Sequence, residues 1–235
     1  MIVFAGPSAP RALRAAFPHL DWRAPAVSGD LLSLIEKAPA KVLLLDGLFE
    51  ERAAVMHKEA LALMAAGTRL YGASSMGALR AAELAPFGMV PLGHIAQAYR
   101  SGLLIGDDEV ALVHGDARIG WQPVSVPMVE VRATLCRLVR DEILSPAAAR
   151  DLRARWHDIH YVDREWPVMR AAADDLPPAL LDRIEAAHVP LKALDAERSI
   201  ALALADARPA CSLPPSPPPE THFLRTLRDG LNRCR

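Results

Sequence analysis

Three short apolar runs in the first third of the chain each end abruptly in small or polar residues. Residues 2–5 are followed by Gly-Pro-Ser, residues 42–45 by Asp-Gly, and residues 68–71 by Gly-Ala-Ser-Ser. Segments with helical character separate the runs, and this alternation is typical of buried parallel strands in βαβ units. Ligands of such sheets gather at the carboxyl ends of the strands. The sequence therefore predicts an α/β fold with a site at that edge: a small, mostly parallel sheet core with helices in the N-terminal half.

The second half of the chain has a helical pattern, with prolines near several helix starts. Predicted helices span residues 128–143, 146–157, 163–173, 178–187 and 192–207. Just before them, residues 110–114 and 119–126 are predicted to form a hairpin around Gly115-Asp116. The predicted organisation is an α/β core at 1–126, a helical subdomain at 127–207, a Pro-rich linker at 208–220 and a basic C-terminal tail at 221–235.

The composition narrows the classes of function. A hydrophobic share of 51% allows a sizeable core, and a formal net charge of -1 argues against a surface that binds nucleic acid. No run approaches the ~20 apolar residues that span a bilayer, and the N-terminus has no basic leader, so we expect a cytoplasmic protein without membrane contact. The three cysteines lack C-x-x-C spacing, which predicts free thiols. We expect no cofactor and no metal.

The strongest candidate for chemistry is Ser75, in the segment Gly72-Ala73-Ser74-Ser75-Met76-Gly77. A serine between a strand and a helix, with small residues two positions before and after it, resembles the G-x-S-x-G nucleophile elbow. The N–H groups of Met76 or Gly77 at the helix start are then candidates for stabilising an oxyanion. The pattern also permits a second interpretation, in which Ser75 only caps the helix.

Lys58 is the candidate base for such a serine. It lies in a predicted helix at residues 53–66, and its neighbours at helical spacing are the apolar residues Ala54, Val55, Leu61 and Ala62. A lysine on an apolar face has a lowered pKa, and its neutral amine can act as a base in a Ser–Lys pair. Two alternatives stay open: Lys58 reaches water or pairs with Glu59, Glu50 or Glu83, or His57 is the base.

Several segments together resemble the TfuA family. The most specific are His57-Lys58-Glu59 and the stretch at residues 72–83. Further resemblance lies at residues 4–8, 46–50, 88–89, 93–95, 99–102 and 107–111. It covers residues 1–135 closely and the helical remainder loosely.

The resemblance implies a function and a site. Members accompany YcaO enzymes, which activate a peptide amide with ATP so that sulfur replaces its oxygen during ribosomal peptide modification. They are understood to hydrolyse the thiocarboxylate of a ThiS-type sulfur carrier, which releases sulfide beside the YcaO protein. They are also understood to raise the affinity of the YcaO enzyme for the precursor peptide. The Ser–Lys pair attributed to the family maps onto Ser75 and Lys58. That this chain is itself such a hydrolase is an expectation from the resemblance.

The remaining candidates are assigned supporting roles. The carrier's glycine tail is expected in a slot lined by Gly6, Gly47, Gly72 and Ala73, with Ser8 or Gly47 assisting at the oxyanion. The supporting side chains are Asp46, His57, Glu59, Ser74, Arg80 and Glu83. The run Asp107-Asp108-Glu109 favours a solvated turn or partner-contact surface over a metal site.

Two rival classes of function remain. The first is a non-catalytic adaptor that binds a YcaO enzyme and improves its affinity for the peptide; Ser75 is then a helix cap. The second is a nucleotide-binding module, which is disfavoured because neither G-x-G-x-x-G nor G-x-x-x-x-G-K-[ST] occurs at the strand ends.

Overall fold

The computed structural model describes residues 1–48, 52–208 and 216–233. These residues form a five-stranded parallel sheet with the strand order β2-β1-β3-β4-β5. The strands are β1 Ile2–Phe4, β2 Asp21–Arg23, β3 Lys41–Leu44, β4 Arg69–Gly72 and β5 Val90–Pro91. The predicted α/β fold with a helical C-terminal part is confirmed.

The sequence identified only the three inner strands, β1, β3 and β4. The two it missed, β2 and β5, are the edges of the sheet. Strand β2 is Asp-Trp-Arg and partly exposed, and β5 has two residues, one of them a proline. Edge strands are short and polar because one side faces solvent, so they lack the apolar run that marks an inner strand.

The described residues contain ten α-helices. They are α1 Arg11–Ala16, α2 His57–Ala65, α3 Met76–Leu84, α4 Gly93–Arg100, α5 Met128–Arg140, α6 Pro146–His157, α7 Trp166–Ala171, α8 Pro178–Ala186, α9 Leu191–Ala205 and α10 His222–Arg233. The five helices predicted after residue 127 match α5 to α9 within a few residues. None of the described helices has the length and apolar character required to cross a membrane.

The two faces of the sheet carry alternate residues of each strand. Phe4, Leu44 and Leu70 pack under α2 and α3 on one face. The opposite face, with Leu43 and Tyr71, is covered by α1 and α9. Helices α5 to α8 have their own apolar core. Helix α9 therefore joins the sheet although it follows the helical part in sequence, and the domain boundaries stay predictions.

Two local predictions were wrong. The helix expected at 53–66 begins only at His57, because buried Glu59 accepts a hydrogen bond from Met56 N–H at 3.2 Å and others from Ser28 Oγ and Gly29 N–H. The hairpin is reduced to one antiparallel bridge between His114 and Pro123. A 3₁₀ turn at Ala117–Ile119 follows the predicted hairpin turn and includes the first residue of the predicted second strand.

The described C-terminal segment, residues 216–233, packs against the α/β part. Leu224 of α10 is buried, and Leu227 and Leu231 lie against the loop at Gly29. The tail predicted at 221–235 thus contains a docked amphipathic helix. Of the predicted linker, only residues 208 and 216–220 lie within the described residues.

Asp206, just after α9, ties that helix to the sheet. Its Oδ2 accepts hydrogen bonds from Arg69 Nε and Tyr71 Oη, both at 2.9 Å. Lys41 Nζ adds a hydrogen bond to the Asp206 carbonyl at 2.7 Å. The hydrogen bond from Arg208, helped by Tyr71, holds the pKa of the Asp206 carboxyl well below its ordinary value.

We expect Asp206→Asn to lower the free energy of unfolding at pH 7 by about 1–2 kcal/mol. A depressed carboxyl pKa stabilises the fold above the unfolded pKa of ~3.9, and this contribution disappears as the pH falls towards the folded pKa. The difference in the free energy of unfolding between the wild type and Asp206→Asn should therefore shrink below about pH 4. Urea unfolding at pH 7 and pH 3 measures it; Asp158→Asn, at an exposed carboxylate, is the control. An equal gap at both pH values would contradict this account.

Candidate active site

A cavity of about 270 Å³ lies at the carboxyl edge of the sheet. The edge is the point where the chain order reverses between β1 and β3, the usual ligand position in such folds. Pro7 follows β1, Asp46 and Gly47 follow β3, and Ser75 follows β4; all four line the cavity. The opposite walls are residues 110–114, Tyr161, Val162 and Lys192.

Ser75 occupies the junction between β4 and α3. Ser74 before it has a left-handed φ of +66°, which makes the sharp turn of an elbow. Ser75 stands at the N-cap position, but its side chain caps no helix N–H group. Its side chain is nearly buried and borders the cavity, whereas Ser74 Oγ is fully buried without a hydrogen-bond partner among the described residues. The geometry thus favours Ser75 over Ser74 as the reactive hydroxyl.

The glycines of this region allow neighbouring backbone and side chains to pack closely. A Cβ on Gly77 would stand 1.8 Å from the Leu44 carbonyl oxygen, and a Cβ on Gly72 would stand 2.1 Å from the Gly77 carbonyl oxygen. A Cβ on Gly6 would contact Pro25 at 2.5 Å. Of the predicted slot residues, only Gly47 borders the cavity. Its missing side chain leaves room for Met76, whose Sδ would lie 2.2 Å from a Cβ there.

The N–H groups at the elbow differ in availability. Gly77 N–H donates to the Leu45 carbonyl at 3.1 Å, and Ser75 N–H donates to the Ala73 carbonyl at 2.8 Å. Met76 N–H makes no hydrogen bond to any described residue. An N–H without an internal partner at the first turn of a helix is suited to a developing negative charge. Of the predicted oxyanion donors, the geometry favours Met76.

Lys192, which the sequence analysis did not consider, brings an amine to the cavity. Its side chain is 3% exposed, and Nζ donates to the Val110 carbonyl oxygen at 2.9 Å. Burial lowers the pKa of Lys192, and the negative charges of Asp46 and Glu130 oppose this shift only in part. A neutral amine is therefore more accessible here than on an exposed lysine.

Polar contacts fix the start of α9 and hence Lys192. Glu130 of α5 accepts hydrogen bonds from Lys192 N–H at 3.1 Å and from the His188 ring at 3.0 Å. One turn later, the Asp195 carboxylate accepts from Ser74 N–H at 3.0 Å and from His94 N–H. Helix α9 thus holds both the amine and the elbow.

Asp46 organises the loop after β1. Its carboxylate accepts hydrogen bonds from Gly6 N–H at 2.7 Å, Ser8 N–H at 3.0 Å and Ser8 Oγ at 2.7 Å. Lys192 Nζ is 4.0 Å from Asp46 Oδ1, the outer limit of an ion pair. Ser8 is fully buried in this contact and does not border the cavity, so the geometry does not favour it as an oxyanion donor.

The predicted base Lys58 is not among the residues that line this cavity. Its Nζ lies 3.4 Å from the Pro219 carbonyl, next to the C-terminal segment. The apolar helix face proposed around it does not exist as predicted, since Ala54 and Val55 precede α2. The structure therefore brings Ser75 into one cavity with Lys192 and leaves Lys58 outside it.

The supporting candidates His57, Glu59, Arg80 and Glu83 also lie outside the cavity, whereas Asp46 lines it. Glu83 pairs with His57 at 2.8 Å and with Arg80 at 2.7 Å on the surface between α2 and α3. Glu59 is buried, and burial raises its pKa. Glu59 and Arg80 stabilise local structure. Glu59 caps α2, and Arg80 Nε donates to the Val55 carbonyl at 3.1 Å.

The acidic run Asp107–Glu109 forms a 3₁₀ turn. Glu109 is buried in an ion pair with Arg132 of α5, whereas Asp107 and Asp108 are exposed and partly exposed. Only these two are accessible to a partner. Within the described ranges, no group of three or more metal-ligating side chains occurs.

A family model described as TfuA-like protein matches residues 46–165. The chain belongs to the TfuA-like family. A comparison with curated proteins gives no match. Membership of the TfuA-like family supports a role as an accessory protein in thioamidation, in association with YcaO enzymes in general. The matched segment includes Asp46 and Ser75, while Lys192 lies beyond it.

Proposed function

We propose that this TfuA-like chain hydrolyses the C-terminal thiocarboxylate of a ubiquitin-fold, ThiS-type carrier, with Ser75 as nucleophile and Lys192 as base. The observation that supports the proposal best is the buried Lys192 amine in the cavity that Ser75 borders. Serine is a weak nucleophile by itself and requires an adjacent base, and Ser–Lys pairs are a known solution.

In the first step, Ser75 Oγ attacks the thiocarboxylate carbon while neutral Lys192 accepts the hydroxyl proton. Met76 N–H is placed to donate to the oxyanion of the tetrahedral intermediate. The carbon–sulfur bond then breaks, and Lys192 returns the proton to sulfur, so that hydrosulfide leaves and an acyl ester remains on Ser75.

In the second step, water attacks the acyl ester with Lys192 again accepting a proton. The carbon–oxygen bond to Ser75 breaks, the proton restores the serine hydroxyl, and the carrier leaves with an ordinary carboxylate. The net reaction is hydrolysis, so no redox partner or cofactor takes part. Asp46 holds the loop at Ser8 and limits how far the pKa of Lys192 falls.

The released sulfide would supply a partner YcaO enzyme during modification of a precursor peptide. Asp107 and Asp108 are accessible acids near the cavity wall at residues 110–114, and we propose them as partner contacts. The non-catalytic adaptor remains the second candidate, because recruitment of a YcaO enzyme requires no chemistry in the cavity.

The test is sulfide release. Purified protein is incubated with a thiocarboxylated ThiS-type carrier, and sulfide is measured with a colorimetric or fluorescent probe. We expect release well above that of the carrier alone, without ATP. No release, together with normal thioamidation by a YcaO enzyme given free sulfide and this chain, would replace the hydrolase proposal by the adaptor.

A further inference from the structure

One wall of the cavity is formed by residues 110–114, in which the backbone beyond the turn residue Val110 runs beside residues 122–125. On one side it is paired: Val113 C=O accepts from Val124 N–H at 2.8 Å, and Gly115 N–H donates to the Gln122 carbonyl at 2.9 Å. Val113 N–H donates to the buried Ser125 Oγ at 2.8 Å. These contacts fix one side of the stretch against residues 122–125.

The other side of this stretch is unpaired. His114 forms an antiparallel bridge with Pro123 in which the flanking residues make the hydrogen bonds, so the N–H and C=O of His114 point away from the partner segment. By the alternation of extended backbone, the same holds for Leu112. Neither backbone group of Leu112 or His114 has a hydrogen-bond partner among the described residues, and both residues line the cavity.

We infer that the tail of the substrate binds as an added strand along Leu112 and His114, with its C-terminal carbon directed at Ser75. Unpaired N–H and C=O groups along an extended edge are the feature that extended peptides use to dock by strand addition. The identity of the tail as a carrier C-terminus rests on the proposed function; the strand contact itself does not.

The shape of the cavity selects the kind of tail. Its volume of about 270 Å³ is below the ~300–1,000 Å³ of ordinary ligand pockets. Leu48, Tyr161 and Val162 also line it. A cavity of this volume favours a tail with small residues, above all glycine, next to the terminal carbon. Recognition then depends on the backbone of the tail more than on its side chains.

The experiment uses binding, so it is independent of catalysis. A fluorescent hexapeptide ending in Gly-Gly, in the carboxylate form, is titrated with the Ser75→Ala protein, and its Kd is measured by fluorescence anisotropy. The same peptide is then N-methylated at one position at a time. Each methyl removes one N–H donor, which is expected to weaken binding about tenfold where that N–H faces Leu112 or His114.

The expected result is a period of two: large and small losses alternate along the peptide, and a Gly→Leu change at the last position weakens binding more than tenfold. Equal losses at successive positions, or no binding, would overturn the inference. If the alternation is found but wild-type protein releases no sulfide, the docking site stands and the hydrolase proposal fails.

Discussion

Replacing Ser75 by alanine is expected to lower the rate of sulfide release at least about 10⁴-fold, because the acyl ester can no longer form. The substitution removes one buried hydroxyl that caps no helix, so the melting temperature should change by less than about 3 °C. Sulfide release under single-turnover conditions measures the first effect. Mass spectrometry should detect an acylated wild-type protein and no adduct on the variant.

Ser74→Ala is the matched control. Ser74 precedes Ser75, has the left-handed backbone of the turn, and carries a buried hydroxyl without a described partner. Because this hydroxyl does not reach the cavity, release should stay within about threefold of the wild-type rate. If Ser74→Ala abolished release and Ser75→Ala spared it, the roles of the two serines would have to be exchanged.

Replacing Lys192 by methionine is expected to lower release by about 10³-fold, within the usual range for loss of a general base. Methionine has a similar length and no charge, but it leaves the Val110 carbonyl without its donor and Asp46 without a nearby amine, so the melting temperature should fall by a few degrees. A rate loss of this size in a variant that is still folded at the assay temperature distinguishes a functional lysine from a structural one. Activity and thermal melts of the same sample measure both.

Lys58→Met is the control for Lys192→Met, and we expect release close to the wild-type rate. The wild-type rate should fall as the pH drops through the pKa of Lys192, because the protonated amine cannot accept the serine proton. Burial lowers the pKa of Lys192, so its contribution to the stability of the wild type should rise with pH up to the unfolded lysine pKa of ~10.4, because the unfolded chain binds more protons over that range; Lys192→Met should lack this rise. A Lys58→Met protein without activity would restore the original pairing.

The inner sheet and the helical half could be predicted because each has a strong local signal. Strands β1, β3 and β4 are continuous apolar runs, and their ends identify the edge that carries Pro7, Asp46 and Ser75. Local signals fail where long-range contacts decide. Helix α2 begins at His57 because Glu59 reaches across to Ser28 and Gly29, which no short window of sequence contains.

Lys192 illustrates the limit for the site. The sequence signal was present: Lys192, Asp195 and Ser199 lie at helical spacing on the buried face of α9 that includes Ala196, Ile200 and Ala203. A lysine within an apolar stripe is the same signal that favoured Lys58. The choice between them depends on which helix covers the carboxyl edge, and only the packing of α9 on the sheet decides that.

The placement of α9 also has a consequence for biosynthesis of the protein. The strands and the elbow are made before α9, which supplies both the amine and the carboxylate that accepts the hydrogen bond from Ser74 N–H. A nascent or truncated polypeptide that stops before Leu191 therefore has its serine without a proton acceptor. If the proposed hydrolysis is correct, it should begin only after α9 has been made and has docked on the sheet.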